Sequence, residues 1–310
     1  GTKACRDLPT NRSVISAARE RRSAVMYTHK GALPFPLMIP FLHLGPLTIP
    51  TFGLMVATGL LAAAYLLQAD FDRRRAQFVS GYLKSDGKPS HHDEGFLIIG
   101  IAGLAGLVGA RLYHVLESPR ELIANPSVLI SRFGFAWFGG FLGGFVALVF
   151  LARHYGIPAL EFMDLCSPAA AFGYAIGRVG CLLSGDGDYG VPTTLPWGMS
   201  FPNGVVPTTE RVHPTPLYEF FIWLAIAAFL WHMGKKSISG ARPRGEIFCG
   251  YLILTGVTRF LIEFIRINPR SFFGLSNAQA ASLVSIVVGA ILLWSIRSRL
   301  RTRKEGDRIT

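Results

Sequence analysis

The sequence predicts an all-α polytopic membrane protein with about seven transmembrane helices. Three observations carry that prediction. Half of the 310 residues are hydrophobic and only 16% are charged, against roughly 25% charged in an ordinary soluble domain. Mean hydropathy is +0.38. The apolar residues also gather into runs approaching the roughly 20 residues that cross a hydrocarbon layer, which a soluble core does not require. A soluble enzyme, a disordered chain and a small disulfide-stapled secreted domain are thereby set aside. The runs are continuous rather than alternating, which sets aside a transmembrane barrel as well.

The apolar windows lie near 47–68, 96–116, 133–152, 159–183, 216–232, 245–266 and 277–296. The first has no small-residue cleavage pattern and six more follow it, so it reads as an uncleaved span. The second carries Gly100, Gly103, Gly106 and Gly109 at every third residue, and the third carries Gly139, Gly140, Gly143 and Gly144. In a bilayer such small residues let helices approach closely. The alternative is backbone approach to a ligand, but neither cluster has the lysine and strand-to-helix context of a nucleotide loop. The fourth window holds Pro168 and several glycines, and the fifth is short. This gives an N-terminal extension and lead-in at 1–43, a transmembrane domain at 44–296, a loop region at 184–215 within it, and a basic tail at 297–310.

Loop charge sets the orientation. The loops 69–95, 153–158 and 233–244 and the tail from Arg297 hold sixteen Lys and Arg, whereas 117–132, 184–215 and 267–276 hold four. Positive residues concentrate on the cytoplasmic side. The N-terminus is therefore expected outside, the tail in the cytoplasm and the 184–215 loop on the outer face. Residues 1–30 run against the rule, and Met26 is a candidate natural start. The net charge of +12 sits beside the spans rather than in one stripe with interleaved aromatics, so membrane lipids and not nucleic acid are the expected partners. Cys5, Cys166, Cys181 and Cys249 have no metal-ligand spacing, and HExxH, paired CxxC and GxSxG motifs do not occur. A metal hydrolase or serine lipase has little support.

Four polar constellations remain. Gly177-Arg178-Val179-Gly180-Cys181 runs on to Ser184, Asp186, Asp188 and Gly190 at the outer end of a span. A charge near hydrocarbon is expensive and is paired or faces a polar cavity. Arg178 is thus either a phosphate clamp, or a helix-end residue that snorkels or pairs with Asp186 or Asp188. His213-Pro214-Thr215-Pro216-Leu217-Tyr218-Glu219 leads into the next span. His213 can relay a proton or make a structural hydrogen bond, Glu219 can pair with an arginine, and Tyr218 can mark the interface. Arg259 and Glu263 are four apart and share a helix face, with Arg266 three further on nearly the same face. Three ionisable groups there suggest an internal polar cavity, the alternative being an ion-pair ladder. Arg111, Tyr113 and His114 close the second span and are expected at the cytoplasmic surface.

Together these residues resemble the prolipoprotein diacylglyceryl transferase family, from about Leu44 to Trp294. The resemblance rests on Gly45-Pro46-Leu47 to Phe52-Gly53, Gly109-Ala110-Arg111, Gly139-Gly140, the Gly-Arg-x-Gly segment, the His213 to Glu219 motif and the Arg259 to Arg266 segment. It implies a lipid-accessible central cavity in the bacterial inner membrane. There phosphatidylglycerol and a prolipoprotein signal peptide would meet, with diacylglycerol passing to the lipobox cysteine thiol and glycerol 1-phosphate leaving. No metal or organic cofactor is implied. Arg178 and Arg259 become the expected phosphate ligands with Arg266 in support, since guanidinium binds phosphate through several hydrogen bonds and stays charged. Glu263, His213 and Asp186 join them as catalytic candidates. Gly139, Gly140, Ser184, Asp188, Tyr218 and Glu219 are expected to contact substrate. The chain departs from the family pattern at Phe138, where a histidine is usual, at Cys181, Ser184 and Asp186, and at Pro50 and Phe52. Those departures motivate a competing reading: a non-catalytic phospholipid-binding or membrane-assembly protein with a stable membrane partner. An ion or solute transporter is a third reading, with no clear inverted repeat to support it.

Overall fold

The computed structural model describes residues 38–81, 94–117, 137–238, 243–270 and 273–306. Most of the N-terminal extension, including Cys5 and Met26, lies outside the described residues, as does the Phe138 side chain. A short hairpin of β1 (Phe41–Leu44) and β2 (Leu47–Pro50) turns at Gly45, whose φ of 61° suits glycine. It leads into helix α1 (Thr51–Gly81). Then follow α2 (Glu94–Glu117), α3 (Trp137–His154), α4 (Ala159–Ser184), α5 (Thr215–Ile238), α6 (Glu246–Ile262) and α7 (Asn277–Gly306). Between α4 and α5, strands β3 (Met199–Phe201) and β4 (Thr208–Val212) pair antiparallel.

Five of these helices are long and apolar enough to cross a membrane, namely those spanning Thr51–Arg74, Glu94–Leu116, Ala159–Ser184, Thr215–Lys235 and Asn277–Thr302. The protein is a polytopic helical membrane protein. Helix α3 contributes the shorter apolar stretch Gly139–His154, and α6 has 17 residues, about 25 Å of helix. Outward-facing Leu104, Phe141, Phe150, Val284, Ile291 and Trp294 give α2, α3 and α7 the apolar surfaces that lipid requires.

Helix α4 is the centre of the bundle and packs against α1, α5 and α6. Its small residues explain how. Gly59 of α1 and Gly173 of α4 face each other so closely that a Cβ on Gly59 would lie 2.7 Å from the Gly173 carbonyl oxygen, the close approach that small residues permit. The α2–α3 pair is built the same way. A Cβ on Gly139 would overlap the Gly109 carbonyl, and one on Gly143 the Ala105 carbonyl, while Gly140 faces Gly106 and Ala110. These glycines serve helix packing.

One end of the bundle carries a buried ionic knot. Asp70, 1% exposed, accepts from Arg74 Nε at 3.0 Å and also from Arg73, whose guanidinium stacks over Trp231. Beside it Asp164 accepts the backbone N–H groups of Gly245 at 2.6 Å and Phe248 at 2.7 Å, which satisfies otherwise unpaired donors at the start of α6.

The helices alternate in direction, and this corrects one expectation. Gly95 at the start of α2 abuts Gln68 of α1, Gly103 meets Leu60, and Gly180 near the end of α4 meets Met55 and Phe52 at the start of α1. Arg111, Tyr113 and His114 therefore lie at the same end of the bundle as Arg178, not at the opposite surface. Antiparallel packing of α2 on α1 decides this, because each crossing reverses the chain.

Candidate active site

Helix α4 stops where the site begins. Gly185 takes the left-handed conformation at φ 57° and its N–H bonds back to the Cys181 carbonyl, the usual way to end a helix. A side chain there would meet the Gly204 backbone at 2.8 Å. The chain then turns through Asp186 and Asp188 and runs beside the segment that follows α6. Gly190 bridges to Arg266, and Val191 N–H donates to the Ile265 carbonyl at 2.8 Å.

That pairing corrects the third constellation. Helix α6 ends at Ile262, with Glu263 as its C-cap, so Arg266 lies beyond the helix, although its Nε still comes within 3.8 Å of Glu263 Oε2 as the three-residue spacing predicts. Residues 263–266 tighten into turns, with Phe264 N–H on Leu261, Ile265 N–H on Ile262 and Arg266 N–H on Glu263, and Arg266 then bridges to Gly190. The backbone groups released at the helix end find partners in the loop after α4, which the local sequence of α6 does not reveal.

The result is a cluster of three guanidiniums and three carboxylates drawn from four segments. Glu219, on the first turns of α5 and fully buried, is its hub. Arg178 Nε lies 3.3 Å from Glu219 Oε2, Arg259 Nη1 lies 3.3 Å from Oε1, and Arg266 Nη1 lies 3.5 Å from Oε2. Tyr174, one helical turn before Arg178, accepts from Arg178 Nε at 2.9 Å and donates to Glu219 at 3.4 Å. Asp188 joins Arg178 through one oxygen and Arg266 through the other. Glu263 pairs with Arg259 at 3.1 Å and accepts from Asn268 at 2.6 Å. Fixed partners of this kind leave the arginines charged and oriented in a poorly solvated place, as a phosphate-binding site needs.

The two aspartates of the loop diverge electrostatically. Burial pushes the Asp186 carboxyl above its ordinary value and the neighbouring Asp188 charge adds to the rise, with Cys181 and the Asp188 N–H as its hydrogen-bond partners. Burial alone would raise Asp188 too, but Arg178 and Arg266 outweigh it and hold that carboxyl low. The Cys181 sulfur and the two carboxylates have ligand atoms within 4.8 Å of one another, a grouping that can hold a cation, yet Asp188 is already spent on two guanidiniums.

The remaining expected residues are engaged nearby or elsewhere. His213 Nδ1 lies 3.3 Å from the Tyr218 hydroxyl, which accepts from Trp197 Nε1 at 2.8 Å. His213 also supplies the carbonyl that receives the Gly190 N–H at 2.8 Å, so this trio borders the ionic cluster. Ser184 turns its hydroxyl to the Cys181 carbonyl at 3.2 Å. Gly139 and Gly140 sit in the α2–α3 seam. Tyr174, Asn268, Trp197 and Trp223, whose ring centroid is 3.9 Å from that of Tyr174, are neighbours that the sequence reading did not select. For Tyr174 a signal exists in its four-residue spacing from Arg178, whereas the others arrive through the tertiary fold.

A family model described as prolipoprotein diacylglyceryl transferase matches residues 40–295. A Clostridium tetani protein named phosphatidylglycerol–prolipoprotein diacylglyceryl transferase is 33% identical over 246 residues, which cover 78% of this chain and 91% of its own. A protein of the same name from Cupriavidus pinatubonensis is 33% identical over 274 residues, 85% of this chain and 93% of that one. Another, from Dehalococcoides mccartyi, is 30% identical over 269 residues, covering 86% and 95%.

Proposed function

The chain belongs to the prolipoprotein diacylglyceryl transferase family, and from that premise we propose that it moves diacylglycerol from phosphatidylglycerol to the lipobox cysteine of a prolipoprotein signal peptide. The observation that carries the proposal is the gathering of Arg178, Arg259 and Arg266 around buried Glu219 at one end of a lipid-facing helical bundle. The proposed setting is the bacterial inner membrane, crossed by all seven helices, with the 184–215 loop and the N-terminus on the periplasmic side and the basic tail in the cytoplasm.

In the proposed step the lipobox thiol gives up its proton and its sulfur attacks the glyceryl carbon bonded to the phosphate oxygen. The carbon–oxygen bond breaks, a carbon–sulfur bond forms and glycerol 1-phosphate leaves. Arg178 and Arg259 would bind the phosphodiester and remain charged as negative charge builds on the leaving oxygen, with Arg266 in support. Glu219 and Glu263 are positioning residues, since each of their oxygens already faces a guanidinium, Tyr174 or Asn268. Asp186 is the preferred proton acceptor. Its carboxyl is raised by burial and by Asp188, which brings it closer to the working range of a general base. His213, paired with Tyr218 at the border of the cluster, is the candidate to pass that proton onward.

Purified protein in phosphatidylglycerol liposomes, incubated with a lipobox peptide, should add a diacylglyceryl mass to the peptide but not to its Cys→Ser counterpart. A peptide left unmodified where a related active enzyme modifies it would reject the proposal.

A further inference from the structure

Every guanidinium of the cluster is occupied by a carboxylate, yet the three carboxylates are not equivalent. Side-chain exposure is 0% for Glu219 and 1% for Glu263, but 29% for Asp188. Glu219 and Glu263 project from or cap helices, and water cannot replace the contacts they would lose. Asp188 stands on the loop, one residue after Gly187 with its φ of 92°. Its backbone is tied down: the Thr215 hydroxyl donates to the Asp188 carbonyl, and the Asp188 N–H donates to Asp186 at 3.2 Å. Of the three carboxylates, only the Asp188 side chain reaches solvent from its place in the cluster.

The geometry of that side chain is the second observation. Asp188 places one oxygen on Arg178 and the other on Arg266, which is how two oxygens of a phosphate would bridge two guanidiniums. Resting on the transferase reading above, we propose that Asp188 is a resident stand-in for the substrate phosphate: its carboxylate fills the Arg178–Arg266 side of the phosphate site, which Arg259 completes, when no substrate is bound, swings out to admit the phosphodiester, and returns to expel the phosphomonoester product.

Charge arithmetic shows what the open seat accepts. Three guanidiniums against three carboxylates make the resting cluster neutral when the adjoining Asp186 carries a proton. With Asp188 swung out, the seat carries one net positive charge. That matches the single negative charge of a phosphodiester. The phosphomonoester product is no longer joined to the lipid chains that hold the substrate at the site, and a carboxylate tethered a few ångströms away competes with it for the guanidiniums. Burial works against that carboxylate, but Arg178 and Arg266 keep it ionised, so it competes as an anion across the neutral pH range. A tethered competitor lowers the apparent affinity of every phosphate ligand by the fraction of time that it leaves the seat open. It does so most usefully for the product, whose release ends the cycle.

The test measures binding apart from chemistry. Wild type, Asp188→Asn, Asp188→Ser, Asp188→Glu and Arg178→Ala are placed in phosphatidylcholine nanodiscs, and sn-glycerol 1-phosphate is titrated calorimetrically. A seat open about one-tenth of the time predicts roughly tenfold tighter product binding in Asp188→Asn and Asp188→Ser. Wild-type affinity should return in Asp188→Glu, and binding should be lost in Arg178→Ala. In steady-state turnover Asp188→Asn should lower KM for phosphatidylglycerol and sharpen product inhibition. Unchanged or weaker product affinity in either neutral variant, with wild-type thermal unfolding, overturns the inference. The two neutral variants differ in size, so failure of one to assemble leaves the other to decide. Thioether formation by wild type in the same preparation separates the two ideas: its absence rejects the transferase reading, while its presence with unaltered product affinity in the neutral variants rejects only the role of Asp188.

Discussion

Glu219→Gln is the sharpest test of how the site is held together. The wild-type carboxylate is fully buried and faces Arg178 and Arg259 at 3.3 Å, Arg266 at 3.5 Å and the Tyr174 hydroxyl at 3.4 Å. Removing its charge leaves three guanidiniums against two carboxylates in a place that water reaches poorly. Breaking a buried ion pair from one side costs about 3–5 kcal/mol. Glutamine keeps one carbonyl acceptor, so a loss near 3 kcal/mol is expected on that scale. Turnover should fall further than stability suggests, because an ångström of misplacement in a phosphate-binding group costs about 100-fold in rate. Two measurements check this: unfolding of the variant in nanodiscs, and mass-resolved turnover of a lipobox peptide. Glu219→Asp supplies the control. It restores the charge but not the reach, so it should recover stability more than rate. A Glu219→Gln protein with wild-type turnover, unfolding within about 0.5 kcal/mol of wild type as a neutral surface change would, would refute the view that Glu219 organises the arginines.

Arg178→Ala and Arg259→Ala should each abolish thioether formation while the protein still inserts in the membrane, and normal turnover by both would remove them from the step. Asp186 acts as a base only when ionised, so kcat/KM should rise with pH through its raised pKa, and Asp186→Asn should lose that limb along with most activity. Because its folded form favours the proton, its contribution to stability falls as pH climbs from the unfolded to the folded pKa; Asp186→Asn should flatten that fall in a pH series of unfolding temperatures. Gly139→Val puts a branched side chain against the Gly109 carbonyl and should cost about 1–3 kcal/mol, read by thermal unfolding. Asp70→Asn at the opposite end leaves Arg73 and Arg74 without their shared anion and should destabilise by about 3–5 kcal/mol, with KM for phosphatidylglycerol unchanged.

The helical membrane class was legible because bilayer thickness is written into run length, and Arg178, Glu219, Arg259 and Glu263 were legible because charges beside hydrocarbon demand an explanation. Their mutual roles were not. Arg266 looked like the next rung of a helix face, yet the α6 helix ends before it and the loop after α4 takes up the released backbone groups. The expected cytoplasmic placement of Arg111 conflicts with the loop count, which puts 117–132 on the outer side, and the α1–α2 packing agrees with the loop count. Gly139 and Gly140 read equally well as ligand-facing backbone or helix seam, and only their approach to Gly106 and Gly109 favours the seam.

The sequence by itself therefore determined the solvent this protein lives in, the helices it must form and which charged residues needed partners, because those depend on local composition and spacing. Helical spacing already pairs Arg259 with Glu263, but only the tertiary structure decided which charges from different segments meet. Arg178 and Asp188, Glu219, and the Arg259–Arg266 segment come from separate stretches of chain, and the pairing of ions depends on distance in space, which antiparallel packing sets and sequence separation does not.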